Sequence, residues 1–255
     1  MAWVRGATKR CPRALDHGCE DSRNAFDTGH AGGAAGSRGL GSHTRSPPHR
    51  NTRTICTRGP PSKSRTVIMI ARSKAIESIL EQLDDETAVL STTGMITREV
   101  YAAKDRPGNF YMIGSMGLTS SVALGVSLLN PERETVILEG DGSALMSMGT
   151  LALIASETPA NLIHVILDNE SYESTGAQPT ISSQIALDDI ASAAGYQSVH
   201  RVDDDEGIKT EIAACKTSPG PHLILVKCSI APVPGIGRVD LTAVEIRDRF
   251  SAHLG

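Results

Sequence analysis

The chain has 255 residues, of which 40% are hydrophobic and only 3% aromatic, so a core can form and it must be aliphatic. The net charge of −4 conceals two unlike parts: residues 1–68 carry 12 Lys and Arg against 4 Asp and Glu, whereas residues 69–255 carry 13 against 25. No apolar run of about 18 residues occurs and no apolar segment follows the start, which excludes a membrane-spanning helix and argues against a secretory signal.

Residues 1–68 are rich in Gly, Ser, Arg and Pro and show no apolar period of two or 3.6, so a disordered basic extension is expected there. A basic arm for nucleic acid, a transit peptide, and an upstream extension from a misplaced start codon all fit this composition. Asp16, Glu20, Asp21 and Asp27 speak against a transit peptide, and Met69 stands where regular patterning begins. With neither nucleic acid nor membrane expected as a partner, the extension reading is preferred. Cys11, Cys19 and Cys56 lie in this arm, while Cys215 and Cys228 lie in the patterned part, with no CxxC pair or zinc spacing among them. Residues 69–255 therefore read as one reduced, cytoplasmic domain.

From Met69 the pattern alternates. A helix is predicted over 70–83, a strand over 87–92, a helix over 95–105, a strand over 109–115, a helix over 118–130 and a strand over 134–140. One long apolar helix follows over 143–158, then a strand over 161–169, a loop over 168–180 and a helix over 184–195. A strand over 196–202, a helix over 206–218, a strand over 222–230 and a helix over 241–254 complete the series. The strands are Val-, Ile- and Leu-rich without polar alternation, which marks strands buried on both faces. The expected architecture is thus a doubly wound α/β fold, a mainly parallel sheet with helices on both faces.

Ligands of such folds bind beyond the carboxyl ends of the strands. Three loops fall there: "STTG" at 91–94, "EGDGS" at 139–143 and "DNESYESTGAQPT" at 168–180. Taken alone, Gly140-Asp141-Gly142 is a turn whose aspartate caps a helix. Asp168-Asn169, one strand later, brings a second pair of oxygen-bearing side chains to the same edge. Asp141, the Asn169 amide oxygen and one backbone carbonyl form half of a shell for a hard cation such as Mg²⁺, which takes its other oxygens from phosphate and water.

A GDG at a strand end, separated by 25 residues from a DN at the next, resembles the thiamine-diphosphate motif. "STTG", "NFYMIGSMGLTSSVALGVSL", "EGDGSALMSMGTLALI" and "LDNESYESTGAQPT" are similar to the sulfopyruvate and phosphonopyruvate decarboxylases, over nearly all of 71–255. The "GSMGLTSS" version lies nearer the β subunit of sulfopyruvate decarboxylase; Leu118 and Glu170 depart from the phosphonopyruvate pattern. The resemblance implies thiamine diphosphate and Mg²⁺ as cofactors. It carries the metal ligands onto Asp141, Asn169 and the carbonyl of Ser171. It carries cofactor contacts onto Thr93, Gly94, Gly114, Ser115, Met116, Gly140, Gly142, Ser143 and Tyr172. Met116, 25 residues before Asp141, corresponds to the apolar wedge that bends the cofactor, a reading preferred to core filler. Tyr172 and Gln178, in the loop after the metal ligand, read equally as substrate or cofactor contacts and as solvated loop residues.

The activity implied is decarboxylation of a small 2-oxo acid: 3-sulfopyruvate first, phosphonopyruvate as the alternative, with a non-catalytic cofactor-binding module as a third reading. Such enzymes need a second domain that binds the pyrimidine ring and supplies an activating glutamate. Residues 1–68 are too short and polar to be one, since compact domains run to about 100–150 residues. Glu77 and Glu99 fall on helices expected to face outward. The catalytic residue is therefore expected from a separate pyrimidine-binding α subunit in a hetero-oligomer. Arg98 and Arg106 are the arginines near the first loops, and both read as surface residues. No G-x-G-x-x-G, P-loop or G-x-S-x-G pattern is present. His164, His200 and His222 read as packed or surface histidines, and the acids at 203–206 as a helix start.

Overall fold

The computed structural model describes residues 69–231 and 233–255, so the expected disordered arm over 1–68 lies outside the described residues. The described chain is a parallel sheet wrapped by helices. The elements are β1 (Ile70–Ala71), α1 (Arg72–Glu81), β2 (Ala88–Ser91), α2 (Met95–Ala103), β3 (Asn109–Tyr111), α3 (Thr119–Leu129) and β4 (Thr135–Gly140). There follow α4 (Asp141–Met146), α5 (Met148–Glu157), β5 (Leu162–Asp168), β6 (Ser171–Tyr172), β7 (Gln178–Pro179) and α6 (Leu187–Ala194). The series closes with β8 (Ser198–Val202), α7 (Asp205–Cys215), β9 (His222–Ser229) and α8 (Ala243–Leu254).

Main-sheet order is β1-β9-β5-β4-β2-β3, every pairing is parallel, and β8 lies alongside β9. β8 pairs with the first half of β9 and β1 with its end, so two short strands share one neighbour. The register alternates cleanly between two cores. Val136, Leu138, Ile163, Val165, Ile224 and Val226 face α1, α2 and α7. Ile137, Leu162, Ile166, Leu223 and Leu225 face α3, α5 and α6. Each such buried side chain contributes about 1.5–3 kcal/mol, which is how an aliphatic chain with few aromatics holds a two-faced sheet.

Four differences from the sequence expectations have physical causes. Ile70 and Ala71 leave the expected first helix because their backbone pairs with Cys228 and Ser229. The strand expected over 109–115 stops at Tyr111: it is the sheet edge, and Ile113 beyond it is 56% exposed. The long apolar helix is two helices, and it begins earlier, at Asp141. It breaks at Ser147, whose hydroxyl donates to the Ser143 carbonyl and competes with the backbone ladder. The expected loop over 168–180 contains the antiparallel β6–β7 ribbon and a 3₁₀ turn at Glu173–Thr175.

Two charged residues are buried where surface positions were expected. Arg106 donates to the carbonyls of Asp84 and Thr87 and, at 2.8 Å, to Asn109 Oδ1, closing the loops below β2 and β3. Glu99 points inward on α2 and chelates Arg72 at 2.7 and 2.8 Å. The histidine reading holds: His164 is fully buried between Glu139 and Tyr196, and His222 is buried as well. Asp204 caps α7 through the Gly207 N–H, as the acidic run implied. Among the described residues no helix is long and apolar enough to cross a membrane.

Candidate functional site

Because β2, β4 and β5 run parallel, their carboxyl ends deliver Thr92-Thr93, the Gly140–Ser143 turn and Asp168–Ser171 to one edge. A cleft there is lined by Thr92, Thr93, Met116, Asp141, Asn169 and Tyr172, with Arg72 and Glu173 at one end. Gly140, Gly142, Ser143 and Ser171 also border it. Gly94, Gly114 and Ser115 do not: Gly94 lines a neighbouring cavity, and the other two border a depression beside α8.

The Ser143 hydroxyl ties its own turn to the loops carrying Thr92 and Gly117. It accepts from the Thr92 hydroxyl at 3.0 Å and from the Gly117 N–H at 3.1 Å, and it donates to Glu139 at 2.6 Å. Glu139, fully buried, is held in turn by His164 at 3.0 Å, and His164 by Tyr196 at 3.1 Å. The hydroxyl's proton is thus spent inside the protein, and Ser143 faces the cleft with its backbone.

Asp141 is the first residue of α4, with Gly140 at the N-cap, so its carboxylate is not the cap that the isolated GDG suggested. Its Oδ2 accepts from Thr180 and, at 3.1 Å, from Ser182. Ser182 shares its one proton between Asp141 and Asp168, the latter at 2.9 Å, and Lys227 pairs with the far oxygen of Asp168 at 2.8 Å. Burial raises the Asp141 pKa above the usual aspartate range, the hydroxyl bond from Thr180 opposes this, and the nearby Asp168 charge adds to it. A buried carboxylate in that condition is stabilised by a cation. Asn169 Oδ1 accepts from the Ser171 N–H at 3.0 Å, a local turn that aims the amide and the following carbonyl together. Among the described residues no three His, Cys, Asp or Glu side chains gather as a metal set, so a cation here depends on amide, carbonyl and ligand oxygens.

The space above Gly142 is the tightest part. A methyl group on this residue would overlap the Tyr172 ring and come within 3.2 Å of Met116 Cε. The free cavity is about 50 Å³, below the ~300 Å³ at which small-molecule sites begin, and the Tyr172 ring occupies the space over Gly142. Met116, which lines the cleft, is 36% exposed, and Ile113, Leu118 and Met146 are more than half exposed. Thr180, Ser182, Arg72 and Glu173 were not singled out from sequence. The Thr180-x-Ser182 spacing, typical of a hydroxyl turn, was the one available signal. Arg72 is buried against Glu99 and Glu173. Burial works against its charge, and the two carboxylates overcome that and raise its pKa.

An all-parallel α/β sheet with glycine, hydroxyl and carboxylate groups at its carboxyl edge defines the class of diphosphate-binding α/β proteins. The family described as thiamine pyrophosphate enzyme, C-terminal TPP binding domain, matches residues 92–226. The chain is 42% identical over 183 residues to the sulfopyruvate decarboxylase subunit beta of Methanothermobacter thermautotrophicus, covering 72% of this chain and 95% of that one. It is 39% identical over 183 residues to the phosphonopyruvate decarboxylase of Streptomyces viridochromogenes, covering 72% of this chain and 46% of the relative. The fold is similar to that of benzoylformate decarboxylase from Polynucleobacter necessarius, with TM-score 0.57 and 19% identity over 68% of this chain and 36% of that one. This chain belongs to the thiamine pyrophosphate enzyme family and carries its cofactor-binding C-terminal domain. It spans less than half the length of the phosphonopyruvate decarboxylases that it matches.

Proposed function

We propose that residues 69–255 form the diphosphate-binding subunit of a thiamine-diphosphate- and Mg²⁺-dependent 2-oxo acid decarboxylase, acting on 3-sulfopyruvate and completed by a separate pyrimidine-binding α subunit. The observation that carries this reading is the meeting of Asp141, Asn169 and Ser171 in one cleft beside Gly142, whose missing side chain lets Tyr172 and Met116 approach the backbone closely. Asp141, the Asn169 amide oxygen and the Ser171 carbonyl would hold Mg²⁺, and the metal with the backbone of Gly142 and Ser143 would hold the diphosphate. When bound, thiamine diphosphate supplies the electron sink for loss of CO₂ from a 2-oxo acid. This chain's own residues orient and shield. Glu139 and His164 fix Ser143, Thr180 and Ser182 fix Asp141, and Met116 and Tyr172 crowd the cleft and keep water out.

Two observations favour a partner. The β-subunit relative is covered along 95% of its length by a chain with no second domain of its own in 69–255. The exposed apolar side chains of Ile113, Leu118 and Met146 are also of the kind that another protein covers. Phosphonopyruvate is the second reading, supported by a relative of similar identity. Calorimetry of the chain with thiamine diphosphate, with and without Mg²⁺, tests the cofactor: Mg²⁺-dependent binding is expected, and its absence sinks the proposal. CO₂ release from 3-sulfopyruvate, phosphonopyruvate and pyruvate, by the chain alone and co-expressed with an α subunit, tests the rest. Full turnover by the chain alone would remove the partner.

A further inference from the structure

The patterned part of this chain is acidic, and most cations near the cleft are already spent. Arg72 is chelated by Glu99 and Glu173, and Lys227 bridges Asp168 and Glu170 at 2.8 and 2.6 Å. Arg98 and Arg238 differ: both line one cavity, and among the described residues neither forms an ion pair or a hydrogen bond. That cavity measures about 320 Å³ and adjoins the cleft, because Thr93 lines both.

The second cavity is built by tertiary contacts. Its outer wall is the strap before α8, where Val239 and Leu241 pack on the core and Asp240 accepts from the Tyr101 hydroxyl. Tyr101 lies three residues after Arg98 on α2, so both project from one helix face. The bond that pins the strap therefore seats Arg238 near Arg98. Two guanidinium groups of like charge have been brought to one cavity with no carboxylate between them, and that arrangement is stabilised by an anion. Thr97 and Ile113 complete a wall that is small and half apolar.

We propose that this second cavity receives the terminal tetrahedral oxyanion of a 3-substituted 2-oxo acid, a sulfonate or phosphonate, with Arg98 and Arg238 as the recognising groups. The proposal rests on the decarboxylase reading, and it gives the substrate's charged end to this chain, through an arginine that reads as a surface residue from sequence. A 2-oxo acid with an uncharged end leaves both arginines without a counter-ion and is discriminated against on that ground.

The test uses the full chain with thiamine diphosphate and Mg²⁺, titrated calorimetrically with 3-sulfolactate, which cannot lose CO₂ by this route, and with lactate as control. Wild type is expected to bind 3-sulfolactate saturably and lactate weakly. Arg98→Gln and Arg238→Gln should each weaken 3-sulfolactate about tenfold or more, the double variant should lose it, and thiamine diphosphate binding should stay unchanged throughout. Arg98 is half-buried and Arg238 exposed, and thermal melts of the variants confirm that they fold. Undiminished 3-sulfolactate binding in the double variant overturns the proposal. So does a parallel loss of thiamine diphosphate binding, which would make the arginines cofactor ligands, and so does absence of saturable binding by wild type. Failure of wild type to bind thiamine diphosphate would sink the decarboxylase reading separately, since the 3-sulfolactate titration still judges the arginines.

Discussion

Asn161 and Asn169 stand at opposite ends of the same strand and do opposite work. Below β5, the Asn161 amide is shared among the carbonyls of Ser127, Asn130 and Arg133 at 3.2, 2.9 and 2.7 Å, and it closes the loops of that edge. Above β5, Asn169 uses its oxygen in one local turn, and its side chain borders the cleft. The amino edge of the sheet spends its polar groups on its own backbone, whereas the carboxyl edge holds them around a gap. Residue type does not separate structure from function here; what separates them is where each hydrogen-bonding group ends.

The comparison breaks most sharply at Arg72, a charge at the carboxyl edge that is as structural as anything below. Glu99→Ala leaves a buried guanidinium with one remaining carboxylate, and urea denaturation should show a loss of about 3–5 kcal/mol. A smaller loss would mean that Arg72 is free to serve the cleft. Next in size is Asp141→Ala, which should weaken Mg²⁺-dependent thiamine diphosphate binding by about a hundredfold or more, since even groups one bond removed from a metal are worth about 10–100-fold. Its urea midpoint should hold or rise, because the carboxylate is buried against its own ionisation. Asn161→Ala inverts that pattern: stability falls by about 2–3 kcal/mol while cofactor affinity stays put.

The smallest effect expected is none. Burial, with help from Glu211, pushes the Cys215 thiol up to about 11; burial pushes Cys228 up to about 12 against the lowering pull of Arg72. Native protein treated with iodoacetamide at about pH 8 should leave both unlabelled in peptide maps, because the thiolate is the reacting form. Labelling of Cys228 alone, which lies at the carboxyl end of β9, would report that this edge opens while the rest of the fold stays shut.

Much of this was legible from residue pattern. Strands such as Val136–Leu138 and Leu162–Leu167 are apolar on consecutive positions, which fixes a sheet buried on both faces, and the GDG and DN pairs mark neighbouring strand ends. Local rules did not reach the rest. Thr180 and Ser182 meet Asp141 across about forty residues of chain, and Glu99 meets Arg72 across 27, so only the tertiary fold pairs them. The helix break at Ser147 was hidden because Met146, Met148 and the alanines around them read as continuous helix, while the Ser147 side chain decides the matter. The resemblance grouped Gly114 and Ser115 with Met116, yet they border a different depression.

The pairing of β1 with the end of β9 has a consequence for how the molecule is made. Ile70 pairs with Cys228 and its N–H donates to the Asp203 carbonyl, so on the ribosome β1 waits unpaired until those later residues have emerged. Arg72 follows directly on that strand and cannot take its place until the strand does. A chain truncated before β9 therefore lacks the strand that seats β1, and with it the fixed start of α1 from which Arg72 lines the cleft.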